Sequence, residues 1–202
     1  MEEKDYLKDI SEIKNMMDRS SQFISLSGLS GILAGAYALI GAAIGKLLLE
    51  SNSSYYITLE SRTFKLMMLT AVAVLLLSVG TAVVLTYFKA KKTGEKIWNN
   101  TSKRLFFNFM IPLVTGGIFA LLLLHNSIYG LIVPVTLIFY GLSCVNASKY
   151  TFRDVRYLGI TIIILGLIST EYSGYAIEFW ALGFGVCHIV YGSIMYFKYD
   201  RK

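Results

Sequence analysis

Three stretches of this sequence, residues 20–45, 66–88 and 105–148, contain no Asp, Glu, Lys or Arg. An α-helix rises about 1.5 Å per residue, so about 20 residues cross a hydrocarbon core of about 30 Å. The third stretch is long enough to cross twice, and the polar triplet His125-Asn126-Ser127 marks where it turns. In lipid no water satisfies the backbone, so a spanning segment pairs its own N–H and C=O groups, and such runs fold as helices. Composition agrees: 55% of the residues are hydrophobic and 16% charged, against about 25% charged in an average soluble domain. A soluble core, a disordered chain and a disulfide scaffold are excluded. Cys144 and Cys187 lie in apolar runs and read as small hydrophobic side chains.

Residues 157–170 and 179–197 extend the count to six. The first of these is short: its 14 uncharged residues reach only about 21 Å, so it needs flanking residues to cross, and a re-entrant segment is the alternative. A full crossing is expected, because otherwise the last helix would deliver its basic end to the wrong side. With six crossings, one face holds sixteen of the nineteen Lys and Arg residues. The N-terminal tail supplies Lys4, Lys8, Lys14 and Arg19, and the second loop supplies Lys89, Lys91, Lys92, Lys96, Lys103 and Arg104. Lys149, Arg153 and Arg156 belong to the fourth loop, and Lys198, Arg201 and Lys202 to the C-terminus. Only Lys46, Arg62 and Lys65 oppose them. Cations are retained on the cytoplasmic side during insertion, so both termini are expected inside. The net charge of +6 is then an orientation signal and not a nucleic-acid footprint, although the strip from Lys89 to Arg104 can also meet anionic headgroups.

The fold class expected is therefore all-α: a polytopic integral membrane six-helix bundle, both termini cytoplasmic, with an N-terminal amphipathic helix. Residues 1–22 form the amphipathic part and residues 23–202 the transmembrane domain. Leu7, Ile10, Ile13, Met16 and Met17 recur at intervals of three and four, which gives the tail one apolar face. Glu2, Glu3 and Asp5 stand where a leader peptide would be basic, so no cleaved signal is expected. Ser20, Ser21, Ser25, Ser27 and Ser30 crowd the start of the first span, where hydroxyls can bond carbonyls of the preceding turn. Gly31, Gly35, Ala38, Ala42 and Gly45 then line one stripe of that helix, a surface for close helix packing within the chain or between subunits. Pro112 and Pro134 fall in the third and fourth spans, where each removes the bond to the carbonyl four residues back, Asn108 and Gly130, and bends are expected. Tyr140-Gly141 in the fourth span echoes Tyr191-Gly192 in the sixth.

Chemistry-bearing groups are scarce. No acid or base lies in the central part of any span, and the one histidine at depth is His188, beside Cys187. Helical spacing puts His188 near Tyr191, and counting from the surface brings Tyr140 and Ser78 to a similar depth. His188, Tyr191, Tyr140 and Ser78 are the candidate binding residues: either a proton- or ligand-sensing cluster, or a neutral imidazole that ties helices together. Glu50, Glu60, Glu171 and Glu178 make the opposite face acidic. No catalytic set, metal ligand set or cofactor motif is present, so no enzyme activity, metal or cofactor is expected.

Ser20-Ser21-Gln22-Phe23-Ile24-Ser25-Leu26-Ser27-Gly28-Leu29-Ser30-Gly31 and Phe179-Trp180-Ala181-Leu182-Gly183-Phe184-Gly185-Val186-Cys187-His188-Ile189-Val190-Tyr191-Gly192 resemble stretches of an uncharacterised family of six-span membrane proteins from Bacteroidota-type bacteria. The Gly-rich, paired-hairpin composition is similar, more weakly, to the acid-resistance membrane protein family. The resemblance implies a bacterial inner membrane and brings no catalytic motif. The function expected is that of a non-enzymatic interaction or regulatory membrane protein; the alternative is a small-solute transporter or channel with a path near His188. Its partners would be the lipid bilayer and a membrane protein or a second copy of itself as a homo-oligomer, with no nucleic acid.

Overall fold

The computed structural model describes residues 22–51, 61–94 and 97–201, and every regular element among them is helical. The amphipathic segment expected in residues 1–22 lies outside the described residues except for Gln22, as do Ser20, Ser21 and Glu60. Helix α1 is Gly28–Glu50, α2 is Arg62–Thr93 and α3 is Asn100–His125. A 3₁₀ turn, Tyr129–Leu131, leads into α4, Ile132–Ala147, and α5 is Asp154–Glu171. The last run, Ser173–Asp200, is called α6 here. It starts as a 3₁₀ turn, is α-helical over Ala176–Trp180 and Cys187–Met195, and widens to π-helix over Ala181–Val186 and Tyr196–Asp200.

Helices α1, α2, α3, α6 and the run Tyr129–Ala147 are long and apolar enough to cross a membrane. Helix α5 is the exception. Its 18 residues reach about 27 Å, and its charges, Asp154, Arg156 and Glu171, sit at its ends.

Local chemistry sets the boundaries. Ser61 Oγ accepts the N–H of Phe64 at 3.1 Å to start α2, and Gly94 ends it with φ 72°, a left-handed conformation that glycine adopts without steric cost. Helix α3 opens on a capping box: Asn99 Oδ1 accepts from Ser102 N at 2.7 Å, and Asn99 N donates back to Ser102 Oγ at 2.9 Å. The turn expected at His125-Asn126-Ser127 is where α3 stops, with Ser127 at φ 60°.

Two expectations are corrected. Pro134 does not bend a span: α4 begins at Ile132, so the proline occupies its first turn, where a missing N–H breaks no helical bond. Ser25 and Ser27 precede α1 instead of lying within it, although Ser30 does donate to Ser27 O at 2.6 Å. The stretch ahead of α1 is held by the α4–α5 connector: Phe23 N donates to Tyr150 O and Thr151 Oγ1 donates to Phe23 O, both at 2.8 Å.

Glycines decide the packing. Helix α1 lies between α2 and α6, and α4 between α3 and α5. A Cβ on Gly35 would stand 2.6 Å from Gly185 O, and one on Gly192 would stand 2.7 Å from Gly28 O, so α1 and α6 touch backbone to backbone. Gly141 and Gly159 do the same for α4 and α5, each Cβ falling 2.6 Å from the other's carbonyl oxygen. The two Tyr-Gly pairs therefore share a plan: Gly141 and Gly192 sit in backbone crossings while Tyr140 and Tyr191 turn towards the interior. The stripe on α1 is used within the chain. Gly31 and Gly35 meet α6, Ala38 and Ala42 are buried, and Gly45 approaches Ile177.

Contact at this range requires that no side chain intervene. Gly159→Val is therefore expected to destabilise the bundle by about 1–3 kcal/mol through overpacking. Gly117→Ala, whose Cβ meets nothing within 4 Å, should be neutral or stabilising by about 0.5–1 kcal/mol. Thermal unfolding of both variants in one detergent measures the contrast.

Candidate functional site

The middle of the bundle holds one polar cluster, built on the π-helical widening of α6. Such widening takes the backbone register from four residues to five, as in the bond from Cys187 N to Leu182 O. His188 Nδ1 lies 3.0 Å from Gly183 O, five residues back. A carbonyl oxygen only accepts, so Nδ1 carries the proton and Nε2 is left as the acceptor of the Tyr140 hydroxyl at 2.7 Å. Both nitrogens of a neutral imidazole are thereby satisfied. Rings enclose the pair: Phe184 lies 5.1 Å from Tyr140 and 6.1 Å from His188, and Phe109 stands perpendicular to Tyr140 at 5.9 Å.

Of the four residues singled out in the sequence, His188 and Tyr140 are in contact, and Tyr191 packs against the same core. Its hydroxyl is, among the described residues, the one buried side-chain N or O atom with no hydrogen-bond partner. Ser78 is not brought to the cluster. It belongs to α2, which packs on the opposite side of α1 through Gly41 against Val74 and Tyr37 Oη against Thr81 Oγ1 at 3.4 Å. An open apolar cleft of about 360 Å³ lies between these two helices, lined by residues such as Ile40, Gly41, Ala73 and Val74.

A second polar contact answers the proline in α3. Pro112 has no N–H to give to Asn108 O, and the side chain of Asn146 on α4 supplies the missing donor, Nδ2 to O at 2.9 Å. A residue with no role evident from sequence thus repairs one of the two carbonyls that the sequence marks as orphaned.

The end of the bundle that carries the C-terminal part of α6 holds two ion pairs. Lys89, expected in a loop, is instead within α2 and turns inward. Its Nζ donates to Asp200 Oδ1 at 2.6 Å and to Leu26 O at 2.7 Å, and lies 5.6 Å from the centre of the Phe152 ring. The other carboxylate oxygen of Asp200 accepts the N–H of Gly28 at 2.8 Å, so a side chain from the end of α6 caps the start of α1. Asp154 at the head of α5 accepts from Lys198 and from Tyr199 Oη, both at 2.9 Å. Sequence reading missed Asp200, since only the fold shows that it faces Lys89. At the other end Lys46 pairs with Glu178 at 3.2 Å, both half exposed.

Among the described residues, no three His, Cys, Asp or Glu side chains come together as a metal site. The arrangement at His188 can fix helices relative to one another. No protein-family model, curated protein or solved structure matches the chain.

Two outcomes follow for stability. Asn146→Ala should cost about 1–3 kcal/mol by orphaning Asn108 O, and much less when Pro112→Ala restores the backbone donor, a coupling read from a double-mutant cycle. Lys89→Met leaves Asp200 with its charge uncompensated in a site 11% exposed and should cost about 3 kcal/mol. Lys46→Met, at an exposed pair, should cost less than about 1 kcal/mol.

Proposed function

We propose that this chain is a bacterial inner-membrane protein that crosses the bilayer six times with both termini in the cytoplasm, and that it acts by contact with other membrane components and not by catalysis. The observation that carries this reading is the contrast between its interior and its edges. The central imidazole has both nitrogens occupied and is 7% exposed, whereas Ala90 is the only buried residue of α2. Helix α3 likewise buries only Ser102, Gly116 and Leu123. A bundle so closed inside and so open along two helices offers surfaces instead of a reaction chamber. Orientation rests on the sixteen cations counted towards one face, and a crossing α5 on its charges being terminal.

A membrane-impermeant label tests the topology: single cysteines placed near either terminus should react only after the membrane is opened, and reaction of one in intact spheroplasts would overturn it. Contact through the N-terminal tail predicts a membrane protein that co-purifies in mild detergent and is lost when residues 1–19 are removed. Unchanged capture would sink that form of the proposal.

A second reading, a small-solute transporter or channel, draws on the unpartnered Tyr191 hydroxyl one turn from His188. It predicts solute or ion flux in liposomes that His188→Ala alters; absence of flux across the solute classes tested counts against it.

A further inference from the structure

The inner corner, where α2 ends and α3 begins, combines cations and rings. Once Lys89 is set aside as an internal ion pair with Asp200, four described cations remain: Lys91 and Lys92 in the last turn of α2, and Lys103 and Arg104 in the first turns of α3. All four are exposed, and among the described residues none of them makes an ion pair. In sequence the connector adds Glu95 and Lys96, which cancel.

The rings lie one turn deeper on both helices. Phe88 precedes Lys91 and Lys92 by three and four residues, and Phe106 and Phe107 follow Lys103 by the same intervals. One turn is about 5.4 Å, so the two helices place charge at one level and aromatic surface at the next, the order of a headgroup above its acyl chains. Trp98 joins the levels: its ring lies 6.4 Å from Phe106, Lys103 Nζ sits 5.8 Å from its centre, and it is 63% exposed. Left-handed Gly94 ends α2 and the Asn99–Ser102 capping box starts α3, and Ala90 and Ser102 are buried.

We propose that the α2–α3 corner is a binding site for an anionic phospholipid, whose phosphate lies among Lys91, Lys92, Lys103 and Arg104 and whose upper acyl chains lie against Trp98 and Phe106. The proposal rests on the chain being membrane-embedded, and only the leaflet depends on its orientation. Charge complementarity selects this occupant: a zwitterionic lipid brings no net charge to a cationic corner, and each cation at a membrane surface adds about 1 kcal/mol of attraction for an anionic one.

The protein contains two tryptophans, which provides a local probe. In a Trp180→Phe background Trp98 is the sole fluorophore, and the full chain is reconstituted in liposomes containing brominated phosphatidylglycerol or brominated phosphatidylcholine. Quenching should show a preference for the anionic lipid of about five-fold or more at low salt. High salt should pull this ratio towards one, as should Lys103→Gln with Arg104→Gln, while Arg62→Gln with Lys65→Gln at the opposite end should leave it unchanged. If Trp180→Phe fails to fold, the Trp98 signal is obtained by subtracting the Trp98→Phe protein from the wild type. A ratio of one at low salt overturns the proposal, and so does a ratio that the Lys103/Arg104 pair does not alter. Quenching by neither lipid, as when a second copy of the chain covers Trp98, overturns it too. Both leaflets carry the same lipid, so these outcomes are independent of topology, which impermeant labelling reads separately.

Discussion

A backbone carbonyl with no water near it must find a donor, and that requirement organises this bundle more than any attraction between side chains. At three places where the regular helical ladder is altered or begins, a side chain completes it. Pro112 deprives Asn108 O, and Asn146 supplies the bond from the next helix. The π-helical stretch of α6 has the imidazole of His188 on Gly183 O. At the start of α1, where helical N–H groups have no partner by construction, the carboxylate of Asp200 accepts from Gly28. The bonds to Asn108 and Gly28 join two segments directly, and His188 does so through its other nitrogen, on Tyr140, so places where secondary structure is irregular become places where tertiary structure is specific.

Hydrophobicity cannot sort helices from one another when the solvent is itself hydrocarbon, and closeness of approach takes over. This is visible in where small and large residues lie. Gly35, Gly192, Gly141 and Gly159 mark the two backbone crossings, while Leu76, Leu77, Val83 and Ile111 cover the outer faces of α2 and α3. The two backbone crossings are made of the smallest residues and the outer faces of bulky ones, while larger side chains such as Leu137, Ile162 and Met195 fill the core between the crossings.

How much of this could be read beforehand depends on whether the deciding interaction is local. The helical stretches were legible because a charge is expensive throughout a lipid-facing run, and so was the turn at Ser127. The start of α1 was not. Residues 20–27 are as uncharged as a span, but 23 to 27 are held outside the helix by Tyr150, Thr151 and Asp200, more than a hundred positions away. Lys89 failed in the opposite direction: α2 runs on past it to Thr93, and Asp200 compensates its charge where it is largely buried. The proline at 112 names the carbonyl it strands but not the amide that rescues it. Ser78 shares its estimated depth with His188, yet depth along a helix says nothing about which side of α1 that helix occupies. Tyr140 came from the same depth count, which succeeded there because its helix does meet α6.

The carboxylate at position 200 has a temporal consequence. Its contacts with Ser27 and Gly28 span 173 and 172 positions of the chain, and the glycine face of α1 packs on α6, which is synthesised after the other five described helices. A growing chain therefore makes α1 long before its neighbour exists, and the glycines stay uncovered until α6 follows. Assembly of this crossing has α1 waiting for α6, so the nascent protein has a long interval in which its narrowest surface is open to substitution by any other helix in the membrane.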